Sequence, residues 1–482
     1  MTKCEEETSH HHQEVDVKLL QLQKENDDSE SKVASIWFSK RFFVAILLFF
    51  GYVSYAMGGQ VVSIAIVEMV SKKSDSSNNQ TTSTKQPTFQ WNSLTVGIIL
   101  NTFYYGSLFS PLGGYWSSRF GGVATFGISM MLAGLLVFLT PFSLSNHFYL
   151  FLLVRILVGV LESFCNASNA EIFTRWFPKQ ERPIFMACVI NGLYFGTAVT
   201  SPFCGFLIHK WGWPMAFYGA AFCICWSLLW LFLVQTDPLK DKWISEIERN
   251  HILQGTENKI KKTEPFQYRN IFSSTPFWAL SLSKFAFGGG VTFIVAYFPT
   301  YIKDAAQTNI NMTGVLSSIP NFVNILIIPI ASLLMTHWQN HSKLKDTMIH
   351  KIILSTGFIS ASSLFVVIAF ANSFTISMIC FVLIKIILSN NKVILELITV
   401  SMAPNHSSII SGLSLFWQTI GSIVTQIFIG ISVKNHKLEE WNSCFLWAAG
   451  VLVIIALIFA MYGSSEPQSW SNSQTDTIDW KF

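Results

Sequence analysis

An all-α membrane protein, with twelve crossing helices in two six-helix halves, is the fold class this sequence predicts, and three observations predict it. Hydrophobic residues make up 51% of the 482-residue chain and charged residues only 12%, about half the share found in soluble domains. Twelve apolar stretches follow one another along the chain, each near the ~20 residues that a helix needs to cross a bilayer. The longest internal polar stretch, Thr236 to Thr275, separates the first six from the last six. Six segments, a charged loop and six more is the plan of a two-halved transporter.

Residues 1–42 form a polar tail with no signal-peptide pattern. The apolar segments lie near 43–68, 93–116, 123–142, 147–169, 183–207 and 214–234, then 276–300, 313–336, 349–370, 374–397, 408–432 and 441–462. The chain thus divides into a first half, 43–234, a linker, 235–275, a second half, 276–462, and a closing tail, 463–482. The loop 71–92 is rich in Ser, Thr and Asn and carries the sequon Asn79-Gln80-Thr81, a glycosylation acceptor wherever that loop faces outside or a lumen. In the linker, Lys242 to Ile252 reads as a short amphipathic surface helix. Lys and Arg gather in the tails, the linker and alternate loops, which sets both termini on the cytoplasmic side.

Composition also excludes function classes. The basic residues lie in short loops between apolar segments, not on one face, so no nucleic-acid partner is expected. The eight cysteines show no C-x-x-C pair or Cys/His ligand spacing, so neither a disulfide framework nor a metal site is indicated. No catalytic triad, nucleotide motif or phosphate-cradling loop is present, which argues against an enzyme and against ATP-driven transport.

Ionisable groups inside the apolar segments are the functional candidates, because a charge at the bilayer centre costs about 2.5–3.5 kcal/mol or more. The fourth segment holds Arg155 and Glu162. Two helical turns separate them, which sets both on one face roughly 10 Å apart. That is too far for a direct bond and suits two stations along a pathway; ion pairing with other helices is the competing reading. The seventh segment holds Lys284, and the tenth holds Lys385, Lys392 and Glu396. Lys392 and Glu396 are one turn apart and can pair on one face. A neutralised pair and a relocated binding or coupling site are both open for them, while Lys385 either snorkels or faces the cavity. Gln60, Tyr104 and Tyr105 are uncharged candidates for substrate contact, with packing the alternative for the tyrosines.

The turn after the second segment reads Gly113-Gly-Tyr-Trp-Ser-Ser-Arg-Phe-Gly-Gly122. Its glycines let helices approach and turn tightly, and its Arg can bond helix-end carbonyls and pin a gate. It resembles the cytoplasmic loop motif of the major facilitator superfamily, with Gly114, Arg119 and Gly121 in register and Ser118 where that motif usually has Asp. Together with Phe89-Gln-Trp-Asn92, Tyr105-Gly106, Arg155…Glu162, Arg175-Trp-Phe-Pro-Lys-Gln-Glu-Arg182, Met402-Ala-Pro404 and Gly463-Ser-Ser-Glu-Pro-Gln-Ser-Trp470, it is similar to one branch, the anion/cation symporter family of sialin, the vesicular glutamate transporters and the type I sodium–phosphate cotransporters. The likeness runs from about Arg41 to Trp470.

The resemblance implies a secondary active transporter of a small organic anion or phosphate, embedded in lipid and working by alternating access. No cofactor is implied beyond a coupling ion, H+ or Na+. It also implies that Arg155 holds the anion, as a guanidinium fork suits carboxylate or phosphate. Glu162 would be the coupling group, a carboxyl able to change charge during the cycle. Three positions depart from the pattern: Gly59 stands where many members have an Arg, Ala170 where several have a His, and Phe287 where the glutamate transporters have an Arg. On this reading the cavity has lost positive charge. That leaves open a non-transporting membrane sensor and a transporter of a zwitterion or cation. Plasma membrane and lysosomal or vesicular membranes are equally open.

Overall fold

The computed structural model describes residues 39–70, 89–220, 222–256, 268–297, 301, 310–371, 373–434 and 438–471. The sequon at Asn79 lies outside the described residues. The first half comprises α1 (Lys40–Met69), α2 (Ser93–Ser107), α3 (Ser110–Phe120), α4 (Gly122–Asn146), α5 (Phe148–Trp176), α6 (Arg182–Trp211), α7 (Trp213–Ala220) and α8 (Cys223–Leu233). The linker contributes α9 (Glu246–Gly255) and α10 (Tyr268–Phe272). The second half comprises α11 (Thr275–Thr292), α12 (Ile310–His341), α13 (Asp346–Phe370), α14 (Phe374–Met402), α15 (Ser407–Ser432) and α16 (Leu438–Tyr462).

Eleven stretches among the described residues are long and apolar enough to cross a bilayer, Trp213–Leu233 counted as one. The second predicted segment is the exception, because it is divided between α2 and α3. Pro111 sits in the first turn of α3 and has no N–H to give the Ser107 carbonyl, so the helical ladder stops there. Leu108 N–H to Tyr105 O (3.4 Å) and Phe109 N–H to Gly106 O (3.1 Å) close the break as tight turns.

The same packing recurs in both halves. The first and fifth crossings pair as α1 with α6, and their counterparts pair as α11 with α15; α4 packs on α5 as α13 packs on α14. The halves meet mainly through α3 against α15 and α6 against α12. These are the second crossing with the eleventh and the fifth with the eighth, each the image of the other under the repeat.

Contacts between the halves cluster toward the end of the bundle that carries the linker. Ser110 Oγ donates to Gly412 O (2.9 Å), Ser332 Oγ donates to Pro183 O (2.8 Å), and the Thr174 and Ser407 hydroxyls lie 3.4 Å apart. At Gly114 a Cβ would stand 2.4 Å from Ser408 O, and at Gly412 one would stand 2.5 Å from Ser110 O. Only glycine permits this approach of two backbones. Gly114→Val is therefore expected to prise α3 from α15, speeding amide hydrogen exchange over 110–120 and 407–415; unchanged protection there would count against this seal.

The linker is fastened to the first half. Ser245 caps α9 by accepting from Glu248 N–H. Glu248 in turn caps the start of α1, its carboxylate accepting from Lys40 N–H (3.0 Å) and Arg41 N–H (2.9 Å). Arg41 also pairs with Glu181, and His251 Nε2 lies 3.1 Å from the same carboxylate. Glu248 and Ile252 are buried. The expected amphipathic surface helix is thus a docked helix, because its acid and its isoleucine find partners on the protein.

Candidate functional site

Arg155 and Glu162 lie on α5 and are 2% and 1% exposed. Neither makes an ion pair among the described residues, and Arg155 Nε and Glu162 Oε2 have no hydrogen-bond partner there. Burial of two such groups without partners is costly and marks the place in the bundle where bonding capacity is left over. The Arg155 guanidinium sits 5.8 Å from the centre of the Phe103 ring on α2, within reach of a cation–π attraction.

Glu162 reaches α1. A Cβ at Gly58 would stand 2.7 Å from Glu162 Oε1, and one at Gly59 would stand 3.5 Å from Oε2. The carboxylate therefore occupies space that a side chain at either glycine would need, directly at the position where the resemblance expects an Arg. Next to it, Tyr52 Oη donates to Asn166 Oδ1 (3.3 Å). Asn166, which the sequence reading did not name as a site candidate, stands one turn beyond Glu162 on the same helical face. That spacing was the signal that could have found it.

The other polar candidates of the first half are less engaged. Gln60 Nε2 donates to Thr197 Oγ1 of α6 (3.1 Å), which ties it within the half. Tyr104 is half-buried and Tyr105 is 44% exposed. Neither hydroxyl hydrogen-bonds a described residue.

Two helices bring the second-half charges together. Lys284 of α11 is fully buried and donates from Nζ to Glu396 Oε1 of α14 (2.7 Å). Lys392 Nζ lies 3.8 Å from the same oxygen. The sequence pattern showed only the Lys392–Glu396 half of this triad, because Lys284 is 112 positions away. Lys392 also sits 5.8 Å from the Phe287 ring centre. A cation from another helix thus stands beside the position where the resemblance expects an Arg. Lys385 is 6% exposed, lies 5.5 Å from the centre of the Tyr194 ring on α6, and makes no ion pair among the described residues. It therefore reaches from the second half to the first. Four inward cations, Arg155, Lys284, Lys385 and Lys392, face two carboxylates, Glu162 and Glu396, so the interior is positive in sum.

The predicted gating residues fall on two contacts. Gly114 meets α15, as described. Gly121 has φ +91° at the turn between α3 and α4, a conformation that favours glycine. Arg119 is exposed and makes no ion pair among the described residues. The buried anchor of this turn is instead Glu171, which accepts from Ser117 Oγ (2.8 Å) and pairs with Arg175 (2.7 Å). Ser118, at the Asp position of the motif, bonds only its own helix, at Tyr115 O.

Comparison with known proteins fits this architecture. The family model described as Major Facilitator Superfamily matches residues 48–426. Vesicular glutamate transporter 3 of Danio rerio is 27% identical over 452 residues, covering 92% of this chain and 76% of its own. Human sialin is 25% identical over 462 residues, covering 92% of each chain. The crystal structure of the human organic anion transporter MFSD10 superposes with a TM-score of 0.64 at 12% identity, covering 87% of this chain and 99% of the other.

Proposed function

The chain belongs to the Major Facilitator Superfamily, and we propose on that premise that it carries a small organic anion or phosphate through a site between its halves. It is a multi-pass membrane transporter by family and by its apolar helices. The observation that carries the anion reading is Arg155, a buried guanidinium without an acidic partner among the described residues. The excess of buried cations supports it, as does the relatives' printed chemistry, glutamate for one and organic anions for another. Glu396, the buried carboxylate of the second-half cluster, is engaged by Lys284 and Lys392, which weighs against that cluster as a cation site.

In this proposal Arg155 grips the substrate by a bidentate fork, and Glu162, pressed against α1, carries the coupling proton. Protonation would remove a charge from the α1–α5 contact and so bias the rocking of the halves. The linker end is taken as cytoplasmic because Lys and Arg concentrate there, and the compartment is a plasma, lysosomal or vesicular membrane. The test is uptake of a labelled panel of phosphate, urate, glutamate, sialic acid and one amine into proteoliposomes, with and without a proton gradient. Gradient-driven anion uptake is expected in the native protein. Glu162→Gln should keep anion exchange while abolishing the response to the gradient; unchanged gradient dependence would remove Glu162 from this role. Uptake of the amine alone would overturn the anion reading.

A further inference from the structure

A cavity of about 370 Å³ lies at the linker end, apart from the Arg155 and Lys284 clusters. Lys179 and Arg182 line it from the first half, and Gln339, Lys345 and His350 line it from the second. His350 is 5% exposed. Gln339 Nε2 lies 3.4 Å from both Asp346 Oδ1 and His350 Nε2. The carboxylate accepts only, so it fixes the donating end of the amide toward the ring and makes His350 Nε2 an acceptor. The neutral ring then carries its proton on Nδ1, and that buried atom has no partner among the described residues. A buried N–H without an acceptor is unfavourable, and an oxygen bound in the cavity would satisfy it.

The surroundings suit an anionic oxygen. The 25-residue helix α13 starts at the cavity, and its cap residue Lys345 supplies no side-chain acceptor, so the N–H groups of Asp346 and Thr347 are available, whereas those of Met348 and Ile349 bond Lys345 O. Two acids are also present, but Asp346 is held by Gln339 and Glu466 lies 3.8 Å from Lys345.

We propose that this cavity is a second anion site, which takes a phosphate group and bridges the two halves. Phosphate carried by a soluble molecule and phosphate on a lipid headgroup offer the same chemistry. The residues come from both halves at the end that must part for the path to open there. An occupant therefore binds the sealed arrangement better than the open one and shifts the population toward it. The consequence is slower transport, without competition at Arg155.

The test uses the full chain in nanodiscs, with melting temperature as the readout. One arm titrates pyrophosphate into neutral lipid; the other adds phosphoinositide to the lipid without free phosphate. A saturable rise in melting temperature is expected in at least one arm, and the responding arm identifies the source. The rise should survive Arg155→Ala and require tenfold or more ligand in Lys179→Ala/Lys345→Ala, both exposed positions. No rise in either arm would overturn the proposal. So would a rise abolished by Arg155→Ala and untouched by the double lysine variant, which would assign the binding to the central site.

Discussion

Arg155→Ala is expected to cut apparent anion affinity by roughly 30- to 150-fold, the effect of losing about 2–3 kcal/mol of hydrogen bonding to a charged group. The native guanidinium is buried and has no acid to hold it, so its bonding capacity is available to substrate. Removing it also leaves Glu162 as the ionisable group of α5 facing α1, without the compensating charge two turns away. Arg155→Lys keeps the charge but not the planar fork and should fall between the two. Equilibrium binding and counterflow exchange in proteoliposomes both report the change. Anion binding of native strength in Arg155→Ala would place the substrate elsewhere, with Lys385 the next residue to replace.

Lys284→Ala is expected to destabilise the fold by about 3–5 kcal/mol, the usual effect of removing one partner from a buried pair. Lys284 is fully buried, and its loss leaves Glu396 with Lys392 at 3.8 Å as the remaining cation. Glu396→Gln should be damaging for the mirrored reason, since two buried cations then lose their shared acid. The double variant Lys284→Met/Glu396→Met strands Lys392 alone, against two stranded cations in Glu396→Gln, and should lie between that variant and the native protein. Melting curves of the four proteins in one detergent form the cycle. Additive losses would show that the triad is not an energetic unit, and would free Glu396 as a candidate for coupling.

Much of the first half's site was legible because it follows from spacing along one helix. Arg155 and Glu162 share a face through the helical repeat alone, and a charge in an apolar segment announces itself by its transfer cost, whereas the uncharged Asn166 on the same face carried no such mark. What Glu162 touches was not legible, since its neighbours Gly58 and Gly59 carry no side chain to suggest a contact. The second half shows the reverse. Its charges were visible, but the 2.7 Å bond from Lys284 to Glu396 joins helices far apart in sequence, and no local periodicity encodes it.

The apparent loss of positive charge shows the same divide. Gly59, Ala170 and Phe287 could be counted as missing cations from the chain alone, yet Lys392 stands over the Phe287 ring and Lys385 reaches Tyr194 across the two halves. The sequence by itself determined the helical class and the order of the apolar stretches, eleven of which are long enough to cross a bilayer among the described residues, while the break at Pro111 in the second came from the structure. These depend on hydrophobic length and on backbone hydrogen bonds within a few residues. Only the tertiary structure decided which charges are neutralised, which cations have no acidic partner among the described residues and where the halves seal. Those depend on distances of 3–4 Å between helices, set by how the two halves pack.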